Sequence, residues 1–371
     1  MLILRIFLFV IPVLATLFGL HYFLYYSAIK IFLISNNIVK IYLAIGLGIL
    51  TIGFIAVSIL AHFMENAFTR VLYFLSSFWL GLFVNLILIT LIAWIVVYFL
   101  RYAGVNYNSG FVGVIFILIA LIYSIYGTYN AFNPRLKNIA VTIPNLPETW
   151  KNKKIIQLSD VHLGHIYRES FLNKVVDMVN LENPDMVVIT GDLFDGMDGV
   201  LDEISLPLGN IKAKQGSYFI TGNHETYLGV EKAKSALKKT GVKVLDDEVV
   251  DLNGLKLIGL SYPDRMEKIN VDGKLGRLKD EYLGKPNILL YHEPTNINDF
   301  KNAGINLQLS GHTHRGQIFP FRYITSMIFK GYDYGLHVIG DYTLYTTNGT
   351  GTWGPPMRTG NTPEIVVITL K

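Results

Sequence analysis

The chain has 371 residues, of which 51% are hydrophobic and 16% charged, a balance too apolar for an ordinary soluble protein of this length. The excess lies at one end: residues 1–138 carry seven Lys or Arg and a single acid, Glu65, while the remainder holds 25 basic and 27 acidic residues. The net charge of +4 therefore reflects that apolar end and gives no argument for a nucleic-acid partner, and the absence of cysteine excludes a disulfide framework and a thiolate metal site.

Four apolar stretches, roughly 6–26, 41–61, 75–100 and 111–129, are each long enough to cross a hydrocarbon core of ~30 Å at ~1.5 Å per helical residue. Tyr25, Tyr26, Tyr73, Trp94, Tyr98 and Tyr129 lie near their ends, as interface belts require. The first stretch is read as a retained span and not a cleaved signal peptide, because three more follow and no small-residue cleavage site is evident. Domains are therefore expected at 1–133, transmembrane, and 134–371. With four spans, Arg5, Arg70, Arg135, Lys137, Lys151, Lys153 and Lys154 share one side, against Lys30, Lys40 and Arg101 on the other. The positive-inside bias then makes this a multi-pass protein of the cell membrane with a cytoplasmic C-terminal domain. His21 and His62, without an evident acidic partner, are read as structural.

Beyond Asn133-Pro134 the pattern becomes that of an α/β domain. Residues 139–143 and 154–158 read as strands, 171–179 as a helix with Leu172, Val175, Val176 and Val179 at helical spacing, and 186–190 as a fully apolar strand. Strand–helix–strand order implies a right-handed βαβ unit. A strand at 217–220 and a helix at 231–239 ended by Gly241 follow. Residues 249–252 and 255–260 flank Asn253-Gly254, a hairpin with a type I′ turn. Short apolar runs at 287–291, 307–309, 342–347 and 365–370 complete a pattern suited to mixed sheets with helices outside.

Five polar clusters follow apolar runs in order: Asp160-Val161-His162, Gly191-Asp192, Gly222-Asn223-His224-Glu225, His292, and Gly311-His312-Thr313-His314. Asp160 and His162, two apart at an extended strand end, should point to one side and bind one cation together. Gly191 leaves approach to Asp192 open, and the two oxygens of that carboxylate can bridge two cations. Asn223 offers a neutral oxygen, and His312 and His314 repeat the spacing of two with Thr313 facing away. A nitrogen–oxygen set without sulfur suits two divalent ions, Mn favoured and Fe or Zn the alternatives, over Ca or Mg. Such a pair would polarise a phosphoryl oxygen and yield a metal-bound hydroxide for in-line attack at phosphorus.

The five clusters, read as D-x-H, G-D, G-N-H-[ED], H and G-H-x-H, resemble the motifs of the calcineurin-like metallophosphoesterases. The resemblance implies two mixed β-sheets packed face to face and flanked by helices, over residues 139–371. It also implies a first metal on Asp160, His162, Asp192 and His314, and a second on Asp192, Asn223, His292 and His312. His224 would then be catalytic, stabilising the transition state or protonating the leaving oxygen. Residues 309–317 and the ending 348–364 look like those of bacterial membrane-associated members, some of which cleave the pyrophosphate of UDP-2,3-diacylglucosamine. The function so implied is hydrolysis of a phosphate ester or pyrophosphate bond, on a substrate that is phosphorylated and in this branch lipid-linked. No protein partner is inferred.

His165 and Asp195 are candidates for substrate contact or for support of the ligands, and His337 reads as an ordinary sheet histidine. Glu293 beside His292 has no assigned direction. The aromatic segment 318–334 reads either as a core connection or as an apolar lip at the membrane, with Phe319, Phe321, Met327 and Phe329 as lipid contacts. The competing functions are a general phosphodiesterase merely tethered to the bilayer, and a non-enzymatic membrane sensor; a complete ligand set argues against the second. A transporter would need intramembrane charges that are scarce here.

Overall fold

The computed structural model describes residues 2–264 and 269–371, with residues 2–10 described by their helical backbone only. The N-terminal helices are α1 (Leu2–Ile31), α2 (Asn37–Phe63), α3 (Ala67–Tyr102) and α4 (Ser109–Ala131). All four are long and apolar enough to cross a membrane. Each overruns its apolar stretch, since i→i−4 bonding continues through the flanking polar residues until a cap stops it. Asn66 is such a cap for α3: its side chain accepts the Thr69 N–H at 3.0 Å and its own N–H donates to Thr69 Oγ1 at 3.0 Å. Within the bundle, Asn85 donates to Ser124 Oγ at 2.9 Å and Trp94 Nε1 to Ser27 Oγ at 2.8 Å. Trp94, expected in an interface belt, thus satisfies its N–H on another helix. His21 stacks on Phe83 with ring centroids 3.9 Å apart and serves packing.

Packing groups the described chain into two units: residues up to Ala61 with Asn66–Gly127, and His62–Glu65 with Thr128–Lys371. The short segment between α2 and α3 therefore belongs with the C-terminal domain.

The second unit is built on two six-stranded mixed sheets. The first runs β1 (Arg135–Val141), β12 (Glu364–Leu370), β2 (Lys154–Leu158), β3 (Met186–Thr190), β4 (Ser217–Ile220), β5 (Lys243–Val244). The second runs β10 (Gly335–Ile339), β11 (Tyr342–Thr346), β9 (Leu307–Ser310), β8 (Asn287–Leu290), β7 (Leu255–Gly259), β6 (Glu248–Leu252). Alternation along the strands sends side chains to opposite faces. Ile155, Val188 and Ile368 of one sheet meet Leu257, Leu290 and Leu309 of the other in a central core. Ile156, Val187 and Val367 face the other way, onto Leu172 and Val176 of α5 (Glu169–Leu181) and Ala233 of α8 (Val230–Leu237). Ile258 and Leu289 pack on Leu275 of α9 (Val271–Tyr282) and Phe300 of α10 (Ile297–Asn302). The result is a helix–sheet–sheet–helix sandwich, completed by α6 (Leu201–Ser205), α7 (Asn223–Leu228) and α11 (Arg322–Ile328).

Three local expectations meet the structure. The first strand starts at Arg135, not 139, because it pairs in parallel with β12 from Arg135↔Glu364 onward while its first four residues stay exposed and carry no periodicity. Helix α8 stops at Leu237, where Thr240 Oγ1 donates to the Leu237 carbonyl at 2.7 Å; Gly241, at φ +72°, lies beyond the cap. Asn253 and Gly254 adopt φ of 52° and 94°, as the type I′ hairpin requires.

Candidate metal centre

Every cluster sits just past the C-terminal end of a strand: β2, β3 and β4 in one sheet, β8 and β9 in the other. Strands β2, β3 and β4 are parallel neighbours, and so are β8 and β9, so their polar ends emerge on one edge of the sandwich. That edge is where open α/β sheets place their ligands. The chain does not run on as extended strand there. Asp160, His162, Asp192, His312 and His314 have φ of 52°, 53°, 50°, 72° and 48°. The spacing of two therefore works through left-handed turns, not through strand alternation, and the backbone carries strain of the kind concentrated at functional sites. Gly191 also acts differently from the expectation: a Cβ there would strike His292 Nδ1 and the Gly222 backbone. Its missing side chain makes room for His292.

The clusters converge. Potential ligand atoms of Asp160, His162 and His314 lie within 4.8 Å of one another, as do those of Asp192, His292 and His312. His162 and His314 face each other Nε2 to Nε2 at 3.0 Å, and Asp160 Oδ1 lies 3.5 Å from His314 Nε2. Asn223 Oδ1 stands 3.2 Å from His292 Nε2 and 2.9 Å from His312 Nδ1. Between the halves lies Asp192. Its Oδ1 accepts the His224 N–H at 2.9 Å, leaving Oδ2 at 3.9 Å from His162 Nε2 and 3.2 Å from His292 Nε2.

Outer contacts fix the rings. His292 Nδ1–H donates to the Thr190 carbonyl at 2.8 Å, which turns Nε2 inward. His312 Nε2 lies 3.5 Å from Glu293 Oε1, and Tyr262 Oη donates to that oxygen at 2.6 Å, so Glu293 faces the ring and leaves Nδ1 inward. Asp195 Oδ1 faces His162 Nδ1 at 3.6 Å, and the Asp195 carbonyl accepts His224 Nδ1–H at 2.9 Å. His165 is buried, 4% exposed, on the loop between β2 and α5. Phe329 brings its ring to 5.9 Å from that of His312, whereas Phe319, Phe321 and Met327 are exposed around α11, which buries none of its residues. The middle of the segment is therefore exposed, while Ile318 and Asp333 at its ends are buried.

Electrostatics follow from burial. Burial would raise the Asp192 carboxyl, but His292 and His224 beside it hold it well below the usual carboxylate range. Burial would lower His292, yet Asp192 raises it to about 10. His312 and His314 are pushed down, by burial first and then by His292 and His162 respectively. The His162 and His314 ring nitrogens, facing at 3.0 Å beside the Asp160 carboxylate, are relieved when a cation sits between them. The donor chemistry, nitrogen and oxygen without sulfur, fits a borderline transition ion.

Some supporting residues escaped the sequence reading. Glu225, fully buried, accepts the N–H groups of Asp192 and Phe194 at 3.0 Å each and of Gly222 at 2.6 Å, tying two clusters together. Burial and the Asp192 charge raise it to about 7. Its place inside Gly-Asn-His-Glu was the available signal. Arg358, also fully buried, donates to the His314 carbonyl at 3.3 Å and lies 3.1 Å from His314 Nδ1, while Asn361 donates to the same carbonyl at 2.7 Å.

A family model described as calcineurin-like phosphoesterase matches residues 153–316. The chain is 38% identical over 241 residues to an uncharacterized metallophosphoesterase of Campylobacter jejuni, covering 64% of this chain and 63% of that protein. It is 34% identical over 243 residues to an uncharacterized metallophosphoesterase of Aquifex aeolicus, covering 64% of this chain and 92% of that protein. It is also 34% identical over 261 residues to a transmembrane protein with metallophosphoesterase domain of Danio rerio, covering 64% of this chain and 57% of that protein. The matched region thus spans less than two thirds of the Campylobacter and Danio proteins.

Proposed function

Because the chain belongs to the calcineurin-like phosphoesterase family, we propose that it is a membrane-associated, metal-dependent hydrolase of phosphate esters. Two divalent ions would be held, one by Asp160, His162, Asp192 and His314, the other by Asp192, Asn223, His292 and His312. The observation that carries this reading is the single oxygen Asp192 Oδ2 facing both halves, 3.9 Å from His162 and 3.2 Å from His292. Ions bound there would supply Lewis acidity to the phosphoryl group and to water. Mn is the favoured ion, with Fe or Zn as alternatives.

The chain's own residues supply position and a proton. His224 gives Nδ1–H to the Asp195 carbonyl, so Nε2 is the nitrogen available to the leaving oxygen. Burial would lower its pKa, but Asp192 and Asp195 beside it raise it. Treating the purified full chain with a chelator should abolish hydrolysis of mono-, di- and pyrophosphate esters, and Mn²⁺ should restore it. Activity that survives complete chelation would contradict the proposal.

The substrate within this class is an amphiphile approached from the cytoplasmic leaflet, a class that includes UDP-2,3-diacylglucosamine. Its support is α11: Tyr323, Ile324, Met327 and Ile328 are exposed on a helix whose next residue, Phe329, reaches the His312 ring. Each acyl CH₂ buried on such a surface is worth roughly 0.8 kcal/mol. An acylated phosphodiester should be preferred over its head group, and polar substitution of Phe321 and Met327 should remove the preference without changing head-group turnover. Equal turnover of lipid and head group would favour a tethered general phosphodiesterase.

A further inference from the structure

The one acidic residue among the first 138, Glu65, is not a membrane-side feature: residues 62–65 pack within the phosphoesterase unit. The Glu65 carboxylate is ion-paired with Arg168 and accepts the Val200 N–H at 2.7 Å. Its side chain is only 11% exposed. Burial would raise this carboxyl, yet the Val200 N–H and Arg168 hold it below its ordinary value. Gly199 is shaped to admit it, since a Cβ there would overlap the carboxylate.

These partners are the far ends of two loops that carry the site. The first, after β2, holds Asp160, His162 and His165 and ends at Arg168; the second, after β3, holds Asp192 and Asp195 and ends at Val200. The loops are laced at their near ends, Leu163 N to Leu193 O at 2.8 Å and Asp195 N to Leu163 O at 2.9 Å. Beyond Asp195 the second loop passes Gly196 and Gly199, both at positive φ, which leaves it conformationally free unless something pins it. Asp198 is held by Lys232 at 2.5 Å on one flank. Glu65 joins the two loops on the other, pairing with Arg168 and accepting the Val200 N–H.

We propose that Glu65 is a positioning residue: carried on the connection between α2 and α3, it clips the Arg168 and Val200 loop ends together and so fixes the Asp195 carbonyl that orients His224. Glu65 stands in sequence between two apolar helices, yet its segment packs within the phosphoesterase unit. The inference rests on the hydrolase reading above.

The test uses the full chain in nanodiscs, with bis(para-nitrophenyl) phosphate as substrate and amide hydrogen exchange as a second readout. Glu65→Ala should speed exchange at Val200 by about tenfold or more and lower kcat by about tenfold, the scale of outer-sphere supports, with KM and metal content unchanged. Glu65→Gln keeps an acceptor for Val200 and should recover most of both losses; Arg168→Met, which cuts the pair from the other side, should lower kcat with Val200 still protected. Unchanged exchange at Val200 in Glu65→Ala overturns the clip. Faster exchange with unchanged kcat overturns its positioning role. If the unsubstituted chain turns over no phosphoester, the hydrolase reading falls and the catalytic part of this inference with it, while exchange at Val200 still decides the clip.

Discussion

Asp192→Ala is expected to lower kcat/KM by at least ~10³-fold, beyond the ~10–100-fold typical of residues that only support ligands. The reason is positional. Oδ2 stands between His162 and His292, and Oδ1 receives the His224 N–H, so one carboxylate serves both halves of the centre and the approach of His224. Steady-state kinetics of the variant, with circular dichroism to verify folding, checks this. A fall of less than about tenfold would mean that Asp192 does not bridge.

His224→Ala should separate rate from metal content. If Nε2 supplies a proton or a transition-state hydrogen bond, kcat falls by ~10²–10⁴-fold while the metal stays. His312→Ala, by contrast, removes a nitrogen 2.9 Å from Asn223 Oδ1 and should empty part of the site. The distinction matters because potential ligand atoms of His162, Asp192 and His224 also lie within 4.8 Å of one another. Metal stoichiometry and kcat, measured side by side, decide it: equal metal loss in both variants would place His224 among the ligands.

What the sequence could reveal depended on how local the physics was. Strands β2, β3 and β4 were legible to the residue because each is a short apolar run with a polar or glycine residue at its end. Helix α9 went unread although Val271, Leu275, Leu278 and Tyr282 fall at helical spacing, with Gly273 and Gly276 as the residues between them that weaken the signal. Edge strand β10 escaped because its burial alternates only between half-buried and exposed. The polar clusters were readable as motifs, but the conformation that lets them converge was not: left-handed Asp160, His162, His312 and His314 are non-glycine residues that propensity would place elsewhere. Supports drawn from far along the chain, such as Arg358 on His314 and Glu65 on Arg168 and Val200, leave no local signal at all. Only packing reveals them.

The most direct test of the account is the metal count of the purified full chain, by elemental analysis, alongside its turnover. The expected result is two divalent transition ions per chain in active protein, and at most one, with activity lost, in Asp192→Ala. Full phosphoester hydrolysis by protein that holds no such ion would contradict it.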